Sequence, residues 1–210
     1  MKHLLIIGAG GFGREIFDMA PLCQGYGKQW ELKGFLDDTQ DPLGGFEGYA
    51  PVVGKITGYA PLQDDVFICA IGSVPGKRKC VESILARGGQ FINLIHKTAT
   101  LGRNVQLGYG CIIQMEARIS SNVTIGDFTT IQDQCMIGHD VSIAPWCHLH
   151  PRVFMGGFSK LQEEAHIGYG AFVHPKMAIG ARATVAAGAY VFRHVKPGTT
   201  VIGNPATTLH

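Results

Sequence analysis

From Ile95 to Val191 an aliphatic residue or methionine recurs at every sixth position, through Leu101, Leu107, Ile113, Ile119 and onward, for seventeen consecutive places. Four residues after each stands a residue that is nearly always small, such as Cys111, Ala117, Val123, Thr129, Cys135 or Ser159, with Met177 the large exception. Glycine often follows the aliphatic directly, as at positions 102, 108, 126, 138, 156, 168 and 180. A period of six belongs to neither an amphipathic helix nor an alternating strand. It fits short strands separated by tight corners, each strand sending one aliphatic inward and each corner needing a small or flexible residue. Three such units close a triangular coil, and stacked coils bury one continuous apolar column. The spacing predicts about five coils between residues 100 and 190, with no inserted loop or helix.

The first ninety residues follow another pattern. His3–Gly8 reads as a buried strand, and Gly8-Ala9-Gly10-Gly11-Phe12-Gly13 leads from it into a helix from about Arg14. A second strand, Leu32–Leu36, ends in Asp37-Asp38, and a third, Val66–Ile71, ends in Gly72-Ser73. A helix over Pro75–Ala86 carries Lys77, Arg78 and Lys79 in its first turn. The chain thus divides into an α/β Rossmann-like half domain over 1–92 and a parallel β-helix over 93–210. A strand–G-x-G-x-x-G–helix unit lets backbone N–H groups approach a pyrophosphate at a helix N-terminus. Ninety residues make only half of a full dinucleotide fold, so a mononucleotide or nucleotide sugar fits better than NAD. The competing reading is that the glycines serve only tight strand–helix packing.

Charge narrows the partners. A net charge of +2 on 210 residues is too small to imply a nucleic-acid partner, and no Lys/Arg cluster offers a phosphate-tracking stripe. The apolar run after Met1-Lys2-His3 is too short for a signal peptide or a membrane span, so a cytoplasmic protein is expected. The six cysteines, at 23, 69, 80, 111, 135 and 147, include no C-x-x-C pair. Three occupy the small-residue slot of the repeat, so free buried thiols in a reducing compartment are expected, not disulfides or zinc.

On the hexapeptide period the chain resembles the hexapeptide-repeat acyltransferases, whose β-helix is left-handed. The hand comes from that resemblance alone, since the usual crossover preference would give the opposite. The segments IIGAGGFGRE, GFLDD, AIGS with the following KR, the repeats and the closing VIGNPA extend the likeness over the whole chain. They resemble bacterial sugar acyltransferases of the sialic acid O-acetyltransferase and nucleotide-sugar 4-amino N-acetyltransferase type. The resemblance implies that Gly10, Gly11 and Gly13 hold a nucleotide diphosphate, with Asp37 and Asp38 beside the base. Many members have histidine where this chain has Phe12.

His139-Asp140, followed by His148, matches the family's H-[DE]-x7-H arrangement. By resemblance His139 is the general base, Asp140 tunes it, and His148 lies along acetyl-CoA; Gly157, Tyr169 and Ala187 are expected beside the coenzyme, and no H-x-x-x-H spacing sets ligands for a metal on one face. Acyl transfer from a thioester needs such a base and a donor to the developing oxyanion. An eighteen-residue coil sets Gly157 above His139, leaving open space and a backbone N–H there, and sets His166 above His148. A single prism offers no deep pocket, and the class builds its sites between the prisms of a homotrimer. Phe154, Phe158, Trp146 and Tyr169 suit a subunit or coenzyme surface. The leading expectation is acetyl-CoA-dependent N-acetylation of a nucleotide-linked amino sugar. O-acetylation of a sugar, or a non-catalytic nucleotide-sugar scaffold, are the alternatives.

Overall fold

The computed structural model describes residues 1–209, which form two compact units, 1–94 and 95 onward. In the first unit, β1 (Lys2–Ile7), β2 (Trp30–Leu36), β3 (Val52–Gly54), β4 (Asp65–Cys69) and β5 (Gln90–Phe91) form one sheet. Its order is β3-β2-β1-β4-β5, with every pairing parallel. Leu4–Ile7 and the whole of β4 are buried, as expected of parallel strands covered on both faces. Two helices make the crossovers, α1 (Gly11–Met19) and α2 (Val74–Leu85). Ser73 caps α2, its hydroxyl accepting the Gly76 N–H at 3.1 Å, and a proline sits in the first turn.

The sequence reading placed three of these five strands. It missed β3 and β5, which are three and two residues long and carry no alternating pattern. It also began α1 about one turn late, because the glycine loop itself supplies the first helical residues.

The second unit is a left-handed parallel β-helix. Its aliphatic series appears as seventeen two-residue strands, from Leu94–Ile95 to Tyr190–Val191, with no helix between them. Registers such as Arg118↔Met136, Met136↔Phe154 and His148↔His166 fix eighteen residues per coil. The chain winds over three faces. The first runs from Thr100–Leu101 to Tyr190–Val191, and the second from Gln106–Leu107 to Ala178–Ile179. The third begins at Leu94–Ile95, continues through His148–Leu149 to Thr200–Ile202, and is closed by the antiparallel strand Thr207–Thr208.

The inward column holds Ile113, Ile119, Ile125, Ile131, Ile137 and their successors with the small residues between them, and all of these are buried. The slot admits thiols readily. Cys111, Cys135 and Cys147 are buried and donate to the carbonyls of Gly126, His150 and Gln162 at 3.3, 3.1 and 3.2 Å. Burial pushes the Cys135 and Cys147 thiols up to about 12, so they stay protonated.

The corners differ from the expectation in one respect. Twelve of the turns place a non-glycine residue in the left-handed region, among them Asn104, Asn122, Phe128, Asp140, Trp146 and Phe158. The glycines that follow the aliphatics are not among the positive-φ residues. They are required by the coil above: a Cβ at Gly138 would lie 2.7 Å from the Gly157 nitrogen, and one at Gly102 equally close to Ser121. Close stacking of backbones, not flexibility, selects glycine at that step.

Each vertex carries its own ladder in the left-handed slot. Between the first and second faces, Asn104, Asn122 and Asp140 are joined by side-chain hydrogen bonds. Between the second and third, Phe128 and Trp146 stack at 4.5 Å. Between the third and first, Arg152, Gln134 and Glu116 are linked by hydrogen bonds.

Candidate functional site

His139 and Asp140 form the turn at the first vertex, directly after the strand Met136–Ile137. The His139 ring is largely exposed, and its Nδ1 lies 2.7 Å from Asp140 Oδ2. Asp140 adopts φ 57°, and its backbone N–H is anchored on the Ser121 carbonyl of the coil below at 3.1 Å. The carboxylate therefore has a fixed base from which to orient the imidazole, leaving Nε2 on the side of Gly157.

Gly157 stands one coil above, as the eighteen-residue spacing requires. The space over it is not empty: a methyl group at 157 would come within 2.8 Å of His139 Cε1 and Nε2. Glycine there makes room for the imidazole itself. Phe158, half-exposed, stands edge-on to the ring at 5.1 Å and 89°. That contact, invisible in the spacing because it needs a left-handed Phe158, limits the ring on its second side.

His148 lies elsewhere in the same chain. It sits on the third face, opposite the vertex that carries His139. It is buried, 3.4 Å from Gln132 Oε1, and stacks on His166 at 5.5 Å between centroids. His150 joins this group, with Nε2 2.9 Å from His166 Nε2 and its ring stacked on Tyr169 at 4.5 Å. Burial and the neighbouring His166 hold His150 down at about 4, and burial lowers His166. Tyr169 and Ala187 occupy successive coils at the vertex where the third face meets the first. One chain thus gathers His139, Asp140 and Gly157 at one vertex, and His148, Tyr169 and Ala187 around another. Among the described residues no group of three or more His, Cys, Asp or Glu is placed to hold a metal ion.

In the first unit the sheet order reverses between β1 and β4. The loops after these two strands, Gly8–Gly11 and Ala70–Ser73, open the crevice where parallel α/β sheets bind ligands. The four glycines of the first loop separate by cause. Gly8 has φ +96°, and a Cβ at Gly13 would overlap the Gly8 carbonyl oxygen. Gly10 and Gly11 are exposed, have no positive φ, and have nothing within 4 Å of where a side chain would begin. The chain's own packing does not require glycine there, whereas a ligand pressed against the helix N-terminus would. Gly72 in the second loop is equally open.

Asp37 braces this loop. One oxygen accepts the Ala9 N–H and the other the Thr39 N–H, both at 2.8 Å. Asp38 accepts from Thr57 through its backbone N–H at 2.9 Å and its hydroxyl at 2.8 Å. Although partial burial opposes ionisation, these hydrogen bonds hold the Asp38 carboxyl below its ordinary value. Both aspartates therefore engage the chain's own groups at the edge of a cavity of about 710 Å³, lined by residues 37–43 and 52–55.

A parallel β-helix with a histidine–carboxylate pair at its vertex, joined in one chain to an open glycine loop, defines a class of acyl-transferring enzyme. Similarity to known proteins agrees. The profile of the PglD N-terminal domain matches residues 3–84. GDP-perosamine N-acetyltransferase of Escherichia coli O157:H7 is 30% identical over 210 residues, covering 96% of this chain and 93% of that one. Among solved structures, PerB from Caulobacter crescentus, in complex with CoA and GDP-perosamine, superposes with a TM-score of 0.89 at 27% identity. It covers 100% of this chain and 98% of that one. The acetyltransferase domain of PglB from Neisseria gonorrhoeae FA1090, in complex with acetyl coenzyme A, gives 0.74 at 28% identity over 99% of both chains. The chain belongs to the hexapeptide-repeat sugar acyltransferase family and is an acyl-CoA-dependent acetyltransferase.

Proposed function

We propose that this enzyme transfers an acetyl group from acetyl-CoA to the amine of a nucleotide-linked amino sugar, with His139 as the general base. The observation that carries the reading is the His139–Asp140 pair at 2.7 Å on a largely exposed imidazole, with Nε2 beside a coil step of glycine. The free amine attacks the thioester carbonyl while His139 Nε2 removes its proton, and Asp140 stabilises the resulting imidazolium. The Gly157 N–H is the donor available to the developing oxyanion. As the tetrahedral intermediate collapses the C–S bond breaks, and the proton on His139 passes to the departing CoA thiolate.

Gly10 and Gly11 present the start of α1 to the nucleotide diphosphate and Gly13 lets the helix close on the Gly8 carbonyl, while Asp37 fixes the loop and, with Asp38, borders the base. His148, Tyr169 and Ala187 line the coenzyme's path, contributed by a neighbouring prism of a homotrimer. The relatives that are solved with CoA and GDP-perosamine support this pair of substrates. The reading places the enzyme in the cytoplasm, where its cysteines stay as thiols.

The test is acetyl-CoA turnover across GDP-, UDP- and dTDP-linked amino sugars. Replacing His139 with alanine is expected to lower kcat by about 10²–10⁴-fold, the range of a general base. Wild-type turnover in that variant would remove His139 from the mechanism.

A further inference from the structure

The Asp140 carboxylate has two oxygens, and only Oδ2 serves His139. Oδ1 lies 3.3 Å from Nδ2 of Asn122, one coil below, and Oδ1 of Asn122 in turn accepts from Nδ2 of Asn104 at 3.0 Å, one coil lower still. The three residues occupy the same left-handed slot, at φ 59°, 61° and 57°. Asparagine tolerates that conformation better than most residues do. The result is a hydrogen-bonded line running two coils down the vertex and ending on the imidazole. The other two vertices carry stacked rings and a charged ladder in this slot, neither of which reaches His139.

We propose that Asn122 is a positioning residue for the proton transfer, with Asn104 behind it. The inference deepens the assignment of His139 as base and rests on it. A carboxylate held at one oxygen only can rotate about its terminal torsion and lose alignment with Nδ1. The Asn122 amide fixes the second oxygen, so the carboxylate plane stays in register with the ring. Asn104 sets the sense of the ladder: by donating to the Asn122 carbonyl it turns the Asn122 NH₂ upward, to Asp140. The bonds lie at the protein surface, where water competes, so the effect is moderate.

The test uses the full-length enzyme. Asn122→Gly removes the amide while leaving the left-handed turn unstrained, so folding is preserved. Its kcat is expected to fall about 3- to 10-fold, as for loss of one ordinary hydrogen bond in competition with water, with both KM values within about 2-fold. Asn122→Asp adds a second negative charge beside Asp140, which favours the imidazolium. The acid limb of the kcat profile is then expected at higher pH than in the wild type. Asn104→Asp draws the Asn122 NH₂ downward and turns its carbonyl toward Asp140. It should reduce kcat like Asn122→Gly, and the double variant Asn104→Asp/Asn122→Gly should be no worse than Asn122→Gly alone.

A residue of merely structural importance would change thermal stability and leave the pH profile unmoved. Wild-type kcat and pH dependence in both Asn122 variants, with His139→Ala inactive, would overturn the proposal and leave the base in place. If His139→Ala keeps wild-type turnover, the base assignment itself fails, and the positioning role fails with it.

Discussion

At the scale of single residues, the glycine loop separates packing from binding. Gly13→Ala forces a Cβ into the Gly8 carbonyl, so it should destabilise the first unit, seen as a lower midpoint in thermal or urea unfolding. Gly11 has open space around it, so Gly11→Leu should fold normally. Because the side chain would stand where the diphosphate approaches, its KM for the nucleotide sugar should rise tenfold or more, with KM for acetyl-CoA unchanged. Equal loss of both affinities would return Gly11 to a structural role. The G-x-G-x-x-G spacing marked these positions in the sequence but could not sort them, since a string gives neither φ nor the distance to the next backbone. The same limit applies to Asp37. Its place after a strand was legible, but its use as a brace on Ala9 depends on two loops meeting in space.

The element scale is where the sequence was most explicit. A period of six with one aliphatic per step fixes strand length, coil closure and core at once, and all seventeen steps appear as strands. What the string hid was the corner. Gly170 illustrates the difference: it has φ +62° and nothing within 4 Å, so only its conformation favours glycine. Gly170→Ala should therefore cost about 1–2 kcal/mol, and Gly170→Asn less. Gly138 is the opposite case, without positive φ but with the Gly157 nitrogen in the way. Gly138→Ala must move a coil, so it should be the more damaging of the two in the same denaturation experiment, and Gly138→Asn should give no relief. If Gly138→Asn is as mild as Gly170→Asn, close stacking is not what selects glycine at that step. The vertex ladders were hidden for a related reason. Asn104, Asn122 and Asp140 are eighteen residues apart, and only once the coil length is known do they become neighbours.

At the scale of the whole molecule the two candidate histidines pose a geometric problem. The H-[DE]-x7-H spacing reads as one constellation in the sequence, yet one chain puts His139 at a vertex and His148 on the face opposite it. Nine residues advance the chain by half a coil, which carries it across the prism. Both can therefore serve one reaction only if the vertex of one subunit meets the third face of another, which is the arrangement that the proposed homotrimer requires. This leads to a complementation experiment. His139→Ala and His148→Ala homotrimers should each be impaired. Mixed trimers, formed by co-expression with two different tags and purified on both, should regain activity. In such a trimer an interface can join the intact His139 of one subunit to the intact His148 of its neighbour. A trimer of two His139→Ala subunits and one His148→Ala subunit has one such interface, and so does the reverse composition, so about one third of wild-type turnover is expected of either. If each site were built within a single chain, every subunit in the mixture would carry one defect and no activity would return.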